Sequence, residues 1–279
     1  MKRFLSLATA LAILCVFSTS CNITVENTDS NIDESLSAPE NRLLAARVSA
    51  RNVNTKVCYG QGYETDDSNR PIGAINAQSD YGQYGALFIE NENEKVIYLT
   101  FDEGYENGYT ESILDTLKEK KVKATFYVTL DYVKSNPDIV KRMIEEGHAV
   151  GNHTCTHPSL PDCSDEEIKA EIQTLEKYIE SNLGGYKTTT VRPPKGEFSI
   201  RTADIAKQMG YKTVLWSFAY SDWDTNNQPD REKAYNRITG ATHNGAIYLL
   251  HAVSKTNADI LGEVIDYWQN NGYQIRAVQ

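Results

Sequence analysis

From residue 96 onward the chain alternates short apolar runs with amphipathic stretches, and this alternation constrains its fold more than any other feature. Residues 96–101 (Val-Ile-Tyr-Leu-Thr-Phe) are β-branched and aromatic, as a buried strand requires. Residues 110–121 follow with Ile113, Leu114 and Leu117 at helical spacing. The same reading predicts strands at 124–128, 148–151, 188–191, 212–216, 246–250 and 273–277. One helix opens at Pro137, where a missing N–H does no harm, and stops at Gly147. Another opens at the capping box Ser164-Asp165-Glu166-Glu167 and ends at Gly184-Gly185. Three more fall at roughly 200–209, 229–239 and 257–270. About seven strands alternating with helices imply an α/β protein with a parallel sheet covered by helices. An open doubly wound sheet and a deformed (β/α) barrel both satisfy that pattern. No Gly-x-Gly-x-x-Gly turn follows the first strand, which favours the barrel.

The N-terminal part is of another kind. Lys2 and Arg3 precede an apolar run over 5–17, too short to span a bilayer of ~30 Å as a free helix. Residues 1–20 therefore read as a signal peptide of an exported protein. Ser18-Thr19-Ser20-Cys21 resembles a bacterial lipoprotein cleavage box, which would make Cys21 a lipid-carrying N-terminus. Ordinary cleavage near Ser20 is the alternative. Residues 21–80 read as a tether and a lead-in with no sustained period, and residues 81–279 as the main domain.

Charge excludes some partners. The 279 residues carry 28 basic and 38 acidic side chains, a net charge of −10, whereas nucleic acid or an anionic membrane surface demands clustered Lys and Arg. Five cysteines are too few and too scattered for a disulfide scaffold. Cys155 and Cys163 are compatible with either a disulfide or free thiols.

The residues that follow the predicted strands carry the chemistry. Asp102 and Glu103 follow the first, His153 and His157 the third and Arg192 the fourth. Asp222 and Trp223 come after the fifth, and His251 after the sixth. In a parallel α/β architecture these ends open on one face. His153 and His157, four apart on a helical turn, would face one metal ion, with a carboxylate from Asp102 or Glu103 to complete the set. No Gly-x-Ser-x-Gly elbow supports serine hydrolase chemistry.

The stretches Thr100-Phe-Asp-Glu-Gly104, His153-Thr-Cys-Thr-His157, Arg192-Pro-Pro-Lys-Gly196, Asp222-Trp223 and Leu249-Leu-His251 resemble, in order, the five motifs of the polysaccharide deacetylase (NodB-homology) family. The similarity spans residues 96–278, and the family fold is a deformed (β/α) barrel. The segments 98–110, 220–228 and 245–251 resemble the branch that makes muramic δ-lactam in spore cortex. Members of that branch remove the acetyl group from N-acetylmuramic acid in peptidoglycan after an amidase has stripped the peptide. The resemblance implies Asp102 as general base, oriented by Arg192, and His251 as general acid, oriented by Asp222. It implies Glu103, His153 and His157 as ligands of a divalent metal, zinc by preference, with Glu103 standing where the family has Asp. Trp223 would wall the acetyl pocket, with Tyr105 and Leu249 also against substrate. Lys195, Arg201 and Lys255 lie near the motif loops and could offset the acidity of the protein toward a carboxylate-bearing sugar. Two other readings compete: deacetylation of N-acetylglucosamine in peptidoglycan or chitin-type oligomers, and a glycan-binding lipoprotein without catalysis.

Overall fold

The computed structural model describes residues 53–278. The predicted signal peptide and Cys21 lie outside the described residues. Among the described residues no helix is long and apolar enough to cross a membrane.

The central strand is β3 (Val96–Glu103), flanked on one edge along its length by β9 (Ala246–His251). Its other edge is shared. β10 (Gln274–Arg276) pairs with its first half and β4 (Thr125–Val128) with its second. From β4 the order continues through β5 (Ala149–Asn152), β6 (Thr190–Val191) and β8 (Lys212–Val214) to β2 (Ala86–Leu87). Every ladder of this sheet is parallel. Beyond β8 the chain turns to β9: the Ser217 and Phe218 amides donate to Ile247 O (2.9 and 3.1 Å), and Leu249 N donates to Phe218 O (2.8 Å). These bonds curl the sheet into the deformed barrel. All seven predicted strands are present, and Ala86–Leu87 is an eighth.

The helices cover the outside: α1 (Ile72–Tyr81), α2 (Thr110–Glu119), α3 (Leu130–Ser135), α4 (Pro137–Glu145), α5 (Asp165–Asn182), α6 (Ile200–Gln208), α7 (Arg231–Gly240) and α8 (Lys255–Asn270). The Ser164–Glu167 capping box opens α5 as predicted. Alternation along β3 separates two cores. Ile97, Leu99 and Phe101 face the helical layer, with Phe101 stacked on Phe126 (5.2 Å). The even-numbered side of β3 faces inward, where Tyr127, Trp216, Ile247 and Leu249 cluster.

The lead-in is part of this body, so the boundary predicted at residue 80 moves toward the N-terminus. β1 (Val57–Cys58) pairs antiparallel with β7 (Glu197–Phe198), and the Tyr59 hydroxyl donates to Trp216 O (2.6 Å). Sequence periodicity misses this segment because its partners are about 140–160 residues away.

Candidate active site

Asp102 is the penultimate residue of β3, and its neighbour in register on β9 is His251. Arg192 reaches Asp102 from the end of β6. Its guanidinium is fully buried and donates to Asp102 Oδ1 (2.7 Å), Thr100 Oγ1 (2.8 Å), Val214 O (3.1 Å) and Leu215 O (3.1 Å). The guanidinium also lies over the Tyr127 ring, 4.1 Å from its centroid. Gly151 makes room for that ring, since a Cβ there would stand 2.5 Å from it. Burial alone would raise the Asp102 pKa, but Arg192, assisted by His153 and His251, outweighs it and holds the carboxyl below the ordinary aspartate value.

His251 ends β9. Its Nδ1 donates to Asp222 Oδ1 (2.7 Å), and its backbone N–H donates to Asp222 Oδ2 (2.9 Å). Asn257, one turn into α8, donates to Asp222 Oδ2 (2.6 Å) and to His251 O (3.2 Å). Tyr220 in turn donates to Asn257 Oδ1. Burial opposes the charged imidazole, yet Asp222, with a contribution from Asp102, lifts the His251 pKa above the ordinary histidine value. The Nε2 atom has no hydrogen-bond partner among the described residues. Asn257 and Tyr220 were not singled out from sequence. In the sequence Asn257 is only the first residue of the helix predicted at 257–270; in the structure Ser254 caps that helix.

His153 and His157 come together, with ring centroids 4.8 Å apart, but not on a helical turn. Thr154 and His157 both adopt left-handed backbone (φ 68° and 60°), so the segment is a tight loop after β5. One local and one long-range anchor shape it. Thr154 N donates to Asn152 Oδ1 (2.9 Å), and Glu171 of α5 accepts from the Cys155 and Thr156 amides (2.9 and 2.7 Å). His153 Nδ1 bonds Arg192 O (2.9 Å). A carbonyl only accepts, so Nδ1 carries the proton and Nε2 keeps a lone pair, 3.5 Å from Asp102 Oδ2. Burial lowers both histidine pKa values, that of His157 to about 4. Cys155 and Cys163 are free thiols.

Glu103 corrects one expectation. As the last residue of β3 it shares the face of Leu99 and Phe101, and period two carries its side chain into the helical layer, away from Asp102. It is fully buried, neither carboxyl oxygen has a hydrogen bond, and the neighbouring Tyr132 hydroxyl donates to Glu106 instead (3.0 Å). Burial, then Glu106 and Asp102, raise its pKa well above the ordinary glutamate value. A carboxyl on the far face is not a partner for His153 and His157. Among the described residues no group of three or more His, Cys, Asp or Glu side chains converges to hold a metal ion. The expected ligand set therefore does not fit as a set; only its two imidazoles meet.

Of the residues expected against substrate, Trp223 (60% exposed) and Tyr105 (53%) present large aromatic surface to solvent, while Leu249 is buried in the barrel interior. The three nearby cations differ. Arg201 is committed to Asp165 (2.5 Å), Asn54 and two carbonyls, and Lys255 to Asp259 (2.5 Å). Lys195 is exposed, holds φ 59° and has no hydrogen bond or ion pair among the described residues.

A parallel barrel that presents an arginine-held aspartate beside an aspartate-held histidine at its strand ends defines a hydrolase with separate basic and acidic groups. A polysaccharide deacetylase family model matches residues 89–214. The chain is 42% identical over 196 residues to the peptidoglycan-N-acetylmuramic acid deacetylase PdaA of Bacillus subtilis, across 70% of this chain and 74% of that one. The solved structure of PdaA, a family 4 carbohydrate esterase, superposes with a TM-score of 0.76 at 38% identity, over 80% of this chain and 95% of that one. An uncharacterized 30.6 kDa protein of Geobacillus stearothermophilus is 43% identical over 218 residues, 78% of this chain and 82% of its own. The peptidoglycan-N-acetylglucosamine deacetylase PgdA of Listeria monocytogenes is 38% identical over 183 residues, 66% of this chain and 38% of its own. The chain belongs to the polysaccharide deacetylase family.

Proposed function

We propose that the protein hydrolyses the N-acetyl group of N-acetylmuramic acid in peptidoglycan from which the peptide has been removed, opening the way to muramic δ-lactam. One observation carries the reading: register partners Asp102 and His251 are tuned in opposite directions, the first toward its base form and the second toward its acid form. Water attacks the acetamide carbonyl carbon while Asp102 accepts its proton, and Arg192 fixes the carboxylate that does so. His251 Nε2 donates a proton to the amide nitrogen as the C–N bond breaks, and Asp222 stabilises the charged ring before transfer. Acetate and a free amine leave. The amine can then condense with the lactyl carboxyl to close the lactam, with loss of water. Trp223 and Tyr105 are the surfaces against which a sugar ring would stack. No step is assigned to a metal. Zinc remains the ion that the His153–His157 pair would favour by ligand type.

Similarity to PdaA over most of both chains favours muramic acid over glucosamine as the substrate. Export, and a lipid on Cys21 facing the cell wall, complete the proposal from the leader sequence. The test is acetate release from amidase-treated and untreated peptidoglycan, with the freed amine located by mass spectrometry. Muramic acid deacetylated only after amidase treatment is the expected result. Deacetylated glucosamine would transfer the activity to the other sugar, and no acetate from any glycan would leave a binding protein.

A further inference from the structure

Among the cations near the motif loops, the structure separates one from the others. Arg201 and Lys255 are held by carboxylates, whereas Lys195 is exposed and makes no hydrogen bond or ion pair among the described residues; the acid its charge faces, Asp162, is bonded to Lys56. Lys195 lies three residues after Arg192, on the loop that also supplies the carbonyl bound by His153.

The loop is held firmly beneath it. Arg192 is buried at one end. At the other, Gly196 O accepts from Tyr59 N (3.0 Å), and Gly196 packs so closely on Trp216 that a Cβ would approach the ring to 2.7 Å. Between them Lys195 occupies left-handed backbone, a conformation that costs a non-glycine residue about 1 kcal/mol or more. An exposed cation held in this way, on the loop whose Arg192 carbonyl is bonded to His153, is a site for an anionic substituent of the sugar.

We propose that Lys195 reads the free lactyl carboxylate of muramic acid, and thereby selects glycan whose peptide has already been cleaved. The inference rests on the muramic acid reading of the site and deepens it. In intact peptidoglycan the lactyl carboxyl is tied up as a neutral amide. Only hydrolysis of that amide exposes the negative charge. An amidase-type reaction must therefore supply the substrate, and Lys195 is where the order of the two reactions is enforced. A direct ammonium–carboxylate contact is charge-assisted, and an exposed one is screened by salt.

The test uses peptide-free glycan fragments containing N-acetylmuramic acid, either with the lactyl carboxylate free or with it converted to the methylamide. Wild-type protein, Lys195→Gln and Lys195→Arg are compared on both. For Lys195→Gln the expected result is a KM about tenfold higher on the acid, kcat within about twofold, and no change on the methylamide. Lys195→Arg should restore most of the loss, and added salt should erode the wild-type preference for the acid. A Lys195→Gln protein that keeps the full preference for the acid overturns the proposal while leaving the muramic acid reading intact. Wild-type protein that deacetylates N-acetylglucosamine oligomers as readily as muramic acid overturns that reading, and the role of Lys195 with it.

Discussion

Asp102 and His251 lie side by side on β3 and β9, yet each is tethered by a different partner, Arg192 for the aspartate and Asp222 for the histidine. The separation of partners lets neighbouring groups hold opposite protonation states at the same pH. The Asp102 carboxylate is charged from below the ordinary aspartate pKa upward, and the His251 imidazolium persists above the ordinary histidine pKa.

The rate–pH profile should therefore be a bell with an alkaline limb set by His251. Asp222→Asn removes the charge that outweighs burial, so the His251 pKa should fall and the alkaline limb should move to lower pH. Turnover at pH 7 should drop by about 10²-fold or more. Measurement of kcat/KM from pH 4 to 10 for both proteins checks this; an unmoved alkaline limb would assign it to another group.

Glu103 gives a prediction of stability rather than of rate. Its folded pKa lies well above the unfolded value, so the stability it contributes is complete below the ordinary glutamate pKa and declines as pH rises toward the folded value. Glu103→Gln removes that titration. The Tm of the variant relative to wild type should climb as the pH rises above the ordinary glutamate pKa, by about 2–4 °C for each kcal/mol that the wild type loses. Activity should stay within a few-fold of wild type. A hundredfold loss of turnover would instead return Glu103 to the metal-ligand set.

Gly151→Ala should act at a distance. The added methyl would press on the Tyr127 ring that underlies the Arg192 guanidinium. Overpacking of this kind costs about 1–3 kcal/mol, and the displaced guanidinium should lower kcat. Urea unfolding together with initial rates would show both effects; a variant that is destabilised but fully active would uncouple Tyr127 from the site.

Glu171→Ala removes the acceptor for the Cys155 and Thr156 amides and for the Thr156 hydroxyl. A half-buried carboxylate with these bonds contributes about 1–2 kcal/mol. Amide hydrogen exchange over residues 153–157 should accelerate, and activity should fall. Unchanged exchange there would place the restraint in Asn152 alone.

Sequence marked Asp102, Arg192, Asp222 and His251 because strand ends show an abrupt change from apolar to charged residues. It misplaced Glu103 for the same reason: two acids after an apolar run read as a loop, whereas β3 continues through both and alternation divides them. The helical turn predicted for His153–His157 failed because Asn152 and Glu171 bend that loop, and the Glu171 contacts cross some 15 residues of chain. Asn257 carries no local signal, since its role arises only when α8 docks beside Asp222.

The β1–β7 ladder has a practical corollary. A fragment trimmed to the five motifs would lack Tyr59, whose ring packs edge-on against Phe88 (4.8 Å) and Trp216 (5.5 Å). Newly bared aromatic surface would then adjoin the loop of Arg192 and Lys195. Recombinant versions beginning at the first motif should clump or arrive inert, whatever the integrity of their catalytic side chains.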